Sequence, residues 1–340
     1  MLEYLPWSKS VFEHCCAEYR NGHFPVLDIE LGGMCNLKCI YCDSPDRTKV
    51  FTAKDDVYRF IESERFQWLF ICGLGEPAYS SNKKELFSLL DLCKQHGVKC
   101  SIFTNLTNFD EKLFKYIEEE VLYVMFKLDS FKPNIIRRLY GNPSIDVCAL
   151  KDKIDRLLTT VRIRDNCTNI CASIVPTTEN YEELPEIIRF CSDNNVFPLL
   201  GELEDSGLGK DTYKCLKLSD EQLSFVKTSC FSEGYRIPIC PSVLCGIHIL
   251  HDGSVAVDKL TGLSCHWFWL EEPKIHSIKK VWDFLSYQDI EKHILAYRKR
   301  QLPLVRNEVD KNRKLIFGGC GGDIIELLSV YLQIHDSFNA

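Results

Sequence analysis

Short apolar runs alternate with amphipathic segments between residues 26 and 203. The runs, such as FQWLFIC and VLYVMFKL, are nearly continuous, as expected for strands that a sheet buries on both faces. The segments between them have the apolar spacing that is typical of helices. The pattern predicts six strands, at 26–31, 66–72, 98–103, 122–128, 169–175 and 196–201, and helices at 55–64, 83–96, 110–119, 134–162 and 181–194, with a break at 141–143.

Six strand–helix units imply an α/β fold with a parallel sheet and right-handed crossovers. The alternation stops after residue 203. A hairpin is predicted over 240–258, with Asp252-Gly253 as its turn, followed by helical segments over about 278–301. We therefore expect four parts: an N-terminal extension at 1–25, a main unit at 26–203, a bridging segment at 204–239 and a C-terminal unit at 240–340.

The composition is that of a globular protein, with 45% hydrophobic and 26% charged residues. The net charge of −7 and the lack of a basic run argue against a nucleic-acid partner held through its phosphates. No secretory signal and no membrane-spanning apolar stretch are visible, which predicts a cytoplasmic protein without a membrane partner. Many of the 18 cysteines lie in apolar surroundings, which indicates buried thiols rather than disulfides; they are Cys72, Cys93, Cys100, Cys148, Cys171 and Cys191.

Three cysteines follow the first predicted strand, at the sheet edge where parallel α/β barrels place their active sites. Cys35, Cys39 and Cys42 have the spacing C-x3-C-x2-C. Thiolates are suitable ligands for iron–sulfur chemistry, and three of them leave one iron of a 4Fe–4S cluster open. An open position indicates a reactive site rather than a structural one. The alternatives are chance burial and zinc, for which no fourth ligand lies nearby.

This loop resembles the signature of the radical S-adenosylmethionine (SAM) superfamily, C-x3-C-x-(aromatic)-C, with Tyr41 in the aromatic position. The similarity of pattern covers about residues 26–203, which implies that family's partial (β/α)6 TIM-like barrel. Three later segments resemble family motifs in the right order, although Leu74 and Leu106 depart from them. They are Gly73-Leu74-Gly75-Glu76-Pro77 for Gly-Gly-Glu-Pro, Thr104-Asn105-Leu106 for Thr-Asn-Gly, and Lys127-Leu128-Asp129-Ser130 for Ser-Leu-Asp-Gly.

The resemblance implies a SAM site built from these strand ends. Glycines allow a backbone to approach a ligand closely, which suits the family's use of the second segment to bind the amino group of SAM. The implied SAM-binding residues are Tyr41, Gly73, Gly75, Glu76, Pro77, Thr104, Asn105, Lys127 and Asp129.

The resemblance also implies a reaction. SAM binds the open iron. A flavodoxin- or ferredoxin-type donor reduces the cluster, and the reduced cluster cleaves SAM to methionine and a 5′-deoxyadenosyl radical. That radical takes a hydrogen atom from an unactivated C–H bond, while the protein orients the reactants and excludes water. Epimerisation, dehydrogenation and cross-linking all begin with this step.

The C-terminal cysteines resemble the SPASM and twitch extensions of many radical SAM enzymes. Cys240-x12-Gly253-x4 has their hairpin spacing, with Asp258 where cysteine is usual, and Gly318-Gly319-Cys320 resembles their Gly-Gly-Cys. Because residues 266–319 contain no cysteine, a small twitch-type extension of hairpin and helices with one auxiliary iron–sulfur cluster is implied. Five residues are candidates for the four ligand positions of this cluster. The alternative is that the cysteines are buried and bind no metal. The candidates are Cys240, Cys245, Asp258, Cys265 and Cys320.

Cys265 is also the candidate catalytic residue, because an unligated thiol there could give a hydrogen atom to a substrate radical. A packed cysteine is the plainer interpretation. His248, His251 and His266 are predicted to be core or solvated histidines. The aromatic run 267–269 is predicted to pack, and the acidic stretch 202–205 to form a solvated loop.

Three functional hypotheses remain open. The first is a maturase of a ribosomally made peptide. The second is an enzyme that acts on a small natural product such as a sugar or aminocyclitol; it is favoured because only about 25 residues precede the first strand, too few for a separate leader-binding domain. The third is a non-catalytic iron–sulfur or zinc-binding protein, against which the ordered barrel motifs argue.

Overall fold

A computed structural model describes most of the 340-residue chain. The described residues are 2–42, 48–63, 65–72, 75–201, 203, 205, 207–232, 240–258, 262–263, 275–311 and 324–337. Several predictions fall outside this part of the chain, namely those for Gly73, Cys265, His266, the run 267–269 and Cys320.

Strands and helices alternate in the order that the sequence predicts. The strands are β1 (Glu3–Tyr4), β2 (Val26–Ile29), β3 (Trp68–Ile71), β4 (Lys99–Thr104), β5 (Leu122–Lys127), β6 (Ile163–Arg164), β7 (Cys167–Thr168), β8 (Ile170–Ile174), β9 (Phe197–Leu200), β10 (Gly246–Ile249), β11 (Ser254–Asp258) and β12 (Ile275–Lys280). The helices are α1 (Lys9–Arg20), α2 (Lys54–Glu62), α3 (Ser80–His96), α4 (Glu111–Glu118), α5 (Pro133–Leu139), α6 (Val147–Leu158), α7 (Leu184–Asp193), α8 (Tyr213–Leu216), α9 (Asp220–Ser232), α10 (Pro241–Cys245), α11 (Tyr287–Lys311) and α12 (Ile324–Ser337).

The main sheet contains the six predicted parallel strands, in the order β2-β3-β4-β5-β8-β9. Their side chains are almost all buried, which explains the continuous apolar runs. Some of the helix ends have ordinary caps: Asp110 and Asp146 accept hydrogen bonds from the first turns of α4 and α6, and Gly97 ends α3. The predicted α/β fold with a parallel sheet is confirmed.

The predicted hairpin adds to the first strand of this sheet. β10 pairs in parallel with β2, and β11 and β12 continue the sheet with antiparallel pairing. The segment 275–280, part of which was expected to be helical, is a strand because it pairs with β11, and the helix begins only at Tyr287. The proposed boundaries at 203 and 240 stay a prediction.

The N-terminal extension carries structure of its own. β1 pairs with β7 in a small second sheet, and Ser8 caps α1 by accepting a hydrogen bond from the Val11 backbone. The Tyr4 hydroxyl lies 2.9 Å from the Ser101 hydroxyl on β4, so this segment packs against the main sheet. None of the described helices combines the length and the apolar character that crossing a membrane requires.

Candidate functional site

The three cysteines lie in a loop directly after β2, which we call the cysteine loop (residues 33–42). All three thiols are partly buried. The Cys35 sulfur accepts hydrogen bonds from the Leu37 backbone at 3.4 Å and from the Asn105 side chain at 3.7 Å. Asn105 follows β4, so the ends of β2 and β4, two parallel strands with β3 between them, meet at this loop, as the sequence predicts for an edge site in a parallel sheet.

The backbone of the loop is held by two other segments. Lys38 and Ile40 donate backbone hydrogen bonds to the last carbonyls of the α5 region, Tyr140 and Leu139, at 3.1 and 3.0 Å. On the other side, the Gly209 N–H donates to the Cys42 carbonyl at 2.7 Å. These backbone bonds fix the middle and the end of the loop, in addition to the hydrogen bonds that the Cys35 sulfur accepts.

Glu76 connects the end of β3 to the end of β4. Its buried carboxylate accepts hydrogen bonds from the Thr104 hydroxyl at 2.6 Å and from the backbone of Asn105 at 2.7 Å and Ala78 at 3.1 Å. Burial raises the pKa of Glu76, and these donors partly offset the rise. The side chain is therefore fully used in holding the two strand ends together.

The segment 75–77 also approaches the cysteine loop as closely as backbone allows. The Glu76 N–H donates to the Met34 carbonyl at 2.9 Å. Gly75 has a φ of +72°, and a Cβ there would lie 2.6 Å from the same carbonyl oxygen. Only glycine fits this position, in agreement with the close backbone approach that the motif predicts. Pro77 is buried beside it.

A buried ion pair lies on the β5 side of the loop. The Lys127 ammonium is 3.4 Å from the Asp129 carboxylate and 4.3 Å from the centre of the Tyr41 ring. Asp129 is fully buried and accepts hydrogen bonds from the Tyr41 hydroxyl and the Val175 backbone. Burial lowers the pKa of Lys127, but Asp129 outweighs it and the net shift is upward, so the ammonium stays charged. The pair orients the aromatic ring of the cysteine motif.

The donor set fits an iron–sulfur cluster better than a single metal ion. Among the described residues, no three His, Cys, Asp or Glu side chains converge as the ligands of one ion would. A 4Fe–4S cluster needs its thiolates around one cubane, but each binds a different iron, so they need not meet at a single metal position. Burial raises the pKa of the Cys39 thiol to about 12, which Lys127 only partly opposes, so a bound cation is needed to stabilise the thiolate.

The C-terminal candidates lie elsewhere. Cys240 and Cys245 are buried at the two ends of α10, and Asp258 is buried at the end of β11. The Cys245 sulfur is 3.9 Å from that of Cys16 on α1, a neighbour that the sequence did not indicate. Since Cys265 and Cys320 lie outside the described residues, the auxiliary ligand set stays a prediction, as does the role of Cys265.

Sequence reasoning missed a cluster of charges between β2 and β10. The fully buried His248 ring has Nδ1 3.2 Å from the Asp28 carboxylate and Nε2 3.8 Å from that of Glu30. Burial lowers the pKa of His248, but the two carboxylates more than reverse this and raise it to about 10. His248 is a core histidine, as expected, but a charged one. The available signal was VLDIEL, where acidic residues occupy alternate positions of an apolar strand.

Three comparisons with known proteins concern this region. Residues 29–191 match the model of the radical SAM superfamily. The mycofactocin maturase MftC of Mycolicibacterium smegmatis is 26% identical over 249 residues, 70% of this chain and 58% of MftC. The structure of Streptococcus suis SuiB bound to S-adenosylmethionine has a TM-score of 0.54 and 15% identity over 80% of this chain and 67% of SuiB. That of anSMEcpe with AdoMet and the Cp18Cys peptide has a TM-score of 0.56 and 17% identity, over 92% and 95%.

These matches cover only part of each curated relative. This chain spans 62% and 58% of the length of the curated relatives it matches, and the structural likeness at such low identity concerns the fold. The family model begins at the end of β2 and ends in α7, so it contains the cysteine loop and the strand ends around it. Residues 29–191 of this chain are therefore a radical SAM domain.

Proposed function

We propose that this protein cleaves SAM reductively and uses the resulting radical to take a hydrogen atom from a peptide. The observation that carries the proposal is the cysteine loop, held at the carboxyl edge of the sheet by backbone bonds from three neighbouring segments. Cys35, Cys39 and Cys42 would each bind one iron of a 4Fe–4S cluster. When bound, that cluster supplies the electron that opens SAM to methionine and a 5′-deoxyadenosyl radical.

The surrounding residues would bind and orient SAM. Backbone groups of the segment 75–77 would face SAM while Glu76 holds this segment against Thr104 and Asn105. On the opposite side, the Lys127–Asp129 pair would fix Tyr41 and present one buried positive charge toward the carboxylate or ribose of SAM. The same packing excludes water from the reacting atoms.

A peptide is the preferred substrate class. MftC is named as a maturase, and the two structures of similar fold, SuiB and anSMEcpe, have been solved with the precursor peptide SuiA and with the Cp18Cys peptide respectively. A small natural product is the second candidate. The type of reaction, a flavodoxin- or ferredoxin-type donor and an auxiliary cluster near Cys240, Cys245, Asp258, Cys265 and Cys320 are further parts of the proposal.

The test is anaerobic reconstitution with iron and sulfide, reduction, and quantitation of 5′-deoxyadenosine from SAM. We expect C35A, C39A and C42A each to lose the cluster absorbance and to form 5′-deoxyadenosine at less than about one hundredth of the wild-type rate, since each removes one of the three thiolates proposed to hold the cluster. The matched control is C148A, which removes an exposed thiol and should change neither property. Cleavage at the wild-type rate by C39A would contradict the proposal.

A second measurement addresses the substrate. Peptides labelled with deuterium at the reacting position should transfer it to 5′-deoxyadenosine, whereas a labelled sugar or aminocyclitol should not. Transfer from the small molecule alone would replace the peptide by the second candidate.

A further inference from the structure

The turn of the C-terminal hairpin contacts the chain just before the cysteine loop. The backbone N–H of Glu30, five residues before Cys35, donates to the Ile249 carbonyl at 3.0 Å. The buried Glu30 carboxylate in turn accepts the His251 backbone N–H at 3.2 Å and lies 3.1 Å from Nδ1 of the His251 ring. The chain therefore enters the loop from a strand end that is bonded to the hairpin turn through both backbone and side chain.

The same turn contacts the chain where it returns from the loop. The Thr52 backbone N–H donates to the His251 carbonyl at 2.8 Å, and its hydroxyl donates to the same oxygen at 3.2 Å. A Cβ added to Gly253 would lie 3.1 Å from the Ala53 methyl, so the two segments pack closely. One residue, His251, thus holds the entering and the returning chain at once.

The base of the loop is closed between these two contacts. The Gly33 N–H donates to the Lys49 carbonyl at 2.9 Å, and Gly32 pairs with Val50 in an antiparallel bridge. A short pairing of this kind is weak unless its ends are held. The hairpin turn supplies that support from outside the loop.

The charges favour the same arrangement. A buried carboxylate is stable only when it is paired and hydrogen-bonded, and the Glu30 carboxylate lies between the His248 ring on β10 and the His251 ring in the turn. His248 is itself held by Asp28 on β2. The turn is therefore fixed to β2 by carboxylates and imidazoles that alternate across the contact, and not by the pairing of β10 alone.

We propose that residues 249–253, together with Glu30 and Thr52, form a clamp that holds together the segment entering the cysteine loop (30–32) and the segment that follows it in the chain (49–52). Glu30 and His251 are positioning residues in this hairpin clamp, because they act on the thiols through the backbone and not by direct contact. The inference depends on the proposed function in one respect, namely that the cysteines of the loop are the ligands of the cluster.

The experiment compares E30A and H251A with H335Q. The last variant removes a buried histidine on α12, whose Nε2 lies 2.9 Å from the Tyr19 hydroxyl, so it controls for the loss of any buried imidazole. E30Q is the conservative variant, since glutamine keeps an oxygen acceptor for the His251 backbone. The first measurement is amide hydrogen exchange in metal-free protein, read for peptides that cover residues 48–53. The second is the rate at which reconstituted protein loses iron to a chelator.

In E30A and H251A we expect exchange at the Thr52 amide and iron loss to be faster by about ten-fold, the effect of losing one charged hydrogen bond. H335Q should match wild type in both, and E30Q should recover part of the protection. If E30A does not fold, H251A decides, because its side chain is partly exposed and its loss is mild.

The clamp is wrong if H251A folds and exchanges at Thr52 as wild type does. It is also wrong if H335Q accelerates exchange equally. Exchange is measured without metal, so a wild-type protein that fails to bind iron or cleave SAM would overturn the proposed function and leave this result standing.

Discussion

Glu76 illustrates how a residue can belong to a site and serve it indirectly. The sequence motif assigns it to the SAM-binding segment, but its carboxylate has three protein donors, two of them at the end of β4. Each carboxylate oxygen faces a donor, so the interaction requires an acceptor at both positions.

In E76Q, one oxygen is replaced by an NH2 group that must face a donor. We expect the free energy of unfolding to fall by about 1–3 kcal/mol, the usual cost of a buried polar group left without its partner. Urea denaturation measures it. E62Q, at an exposed position on α2, is the control and should be neutral. Equal stability of the two variants would show that the carboxylate does not join the strand ends.

Residue types in a motif could be predicted from the sequence, but their contacts could not. The spacing of Cys35, Cys39 and Cys42 and the order of the later motifs identified which residues lie at one sheet edge. Nothing in the sequence indicated that the Lys127 ammonium would lie over the Tyr41 ring, since that depends on where β5 ends relative to the loop.

At the scale of elements, local periodicity was sufficient to predict the parallel strands of the main sheet but not the strand at its edge. The six parallel strands were predicted to within two residues at most ends because burial on both faces gives each a continuous apolar run. β12 was missed because an edge strand is defined by its pairing with β11, not by its own pattern. The helix α1 was not predicted although Ser8 is an ordinary N-cap residue.

The turn between α5 and α6 gives a test at this scale. Gly141 has a φ of +56°, and a Cβ there would overlap the Lys38 carbonyl oxygen of the cysteine loop. Gly97, at the end of α3, has a similar φ of +68° but open space around its Cβ position. The two glycines share the backbone conformation and differ only in what lies against them.

In G97A the free energy of unfolding should therefore fall only by the cost of an alanine in the left-handed conformation, about 1–2 kcal/mol. G141A should lose that amount and also displace the loop, so its iron content after reconstitution should fall well below that of G97A. Thermal unfolding and iron analysis of the two variants measure these effects. If G141A binds as much iron as G97A, the α5–α6 turn does not position the thiols.

At the scale of the whole molecule, the C-terminal hairpin belongs to the same sheet as the barrel strands. The sequence predicted the hairpin and its turn, but not its place beside β2, because the pairing joins residues more than two hundred positions apart. We call the contact between β2 and β10 the seam. Asp28 and Glu30, from β2 and the residues directly after it, face His248 of β10 there. The seam is therefore the place where the two parts of the chain are coupled electrostatically.

The coupling should be visible in the pH dependence of stability. The pKa of His248 is about 10 in the folded protein and 6.5 ordinarily. Below the ordinary value both states carry the proton, so the attraction to Asp28 and Glu30 contributes fully. As the pH rises toward the folded value, only the folded protein retains the proton, and the contribution declines until it is lost above that value.

The difference in unfolding free energy between wild type and H248Q should thus be largest near neutral pH and shrink steadily toward about pH 10. H335Q is the matched control above about pH 7.5, because burial lowers the pKa of His335 to about 4 and its imidazole is then neutral in both states. Its difference from wild type should stay constant where that of H248Q falls. A constant difference for H248Q as well would mean that His248 is neutral in the folded protein, and the seam would then be held by packing and backbone pairing alone.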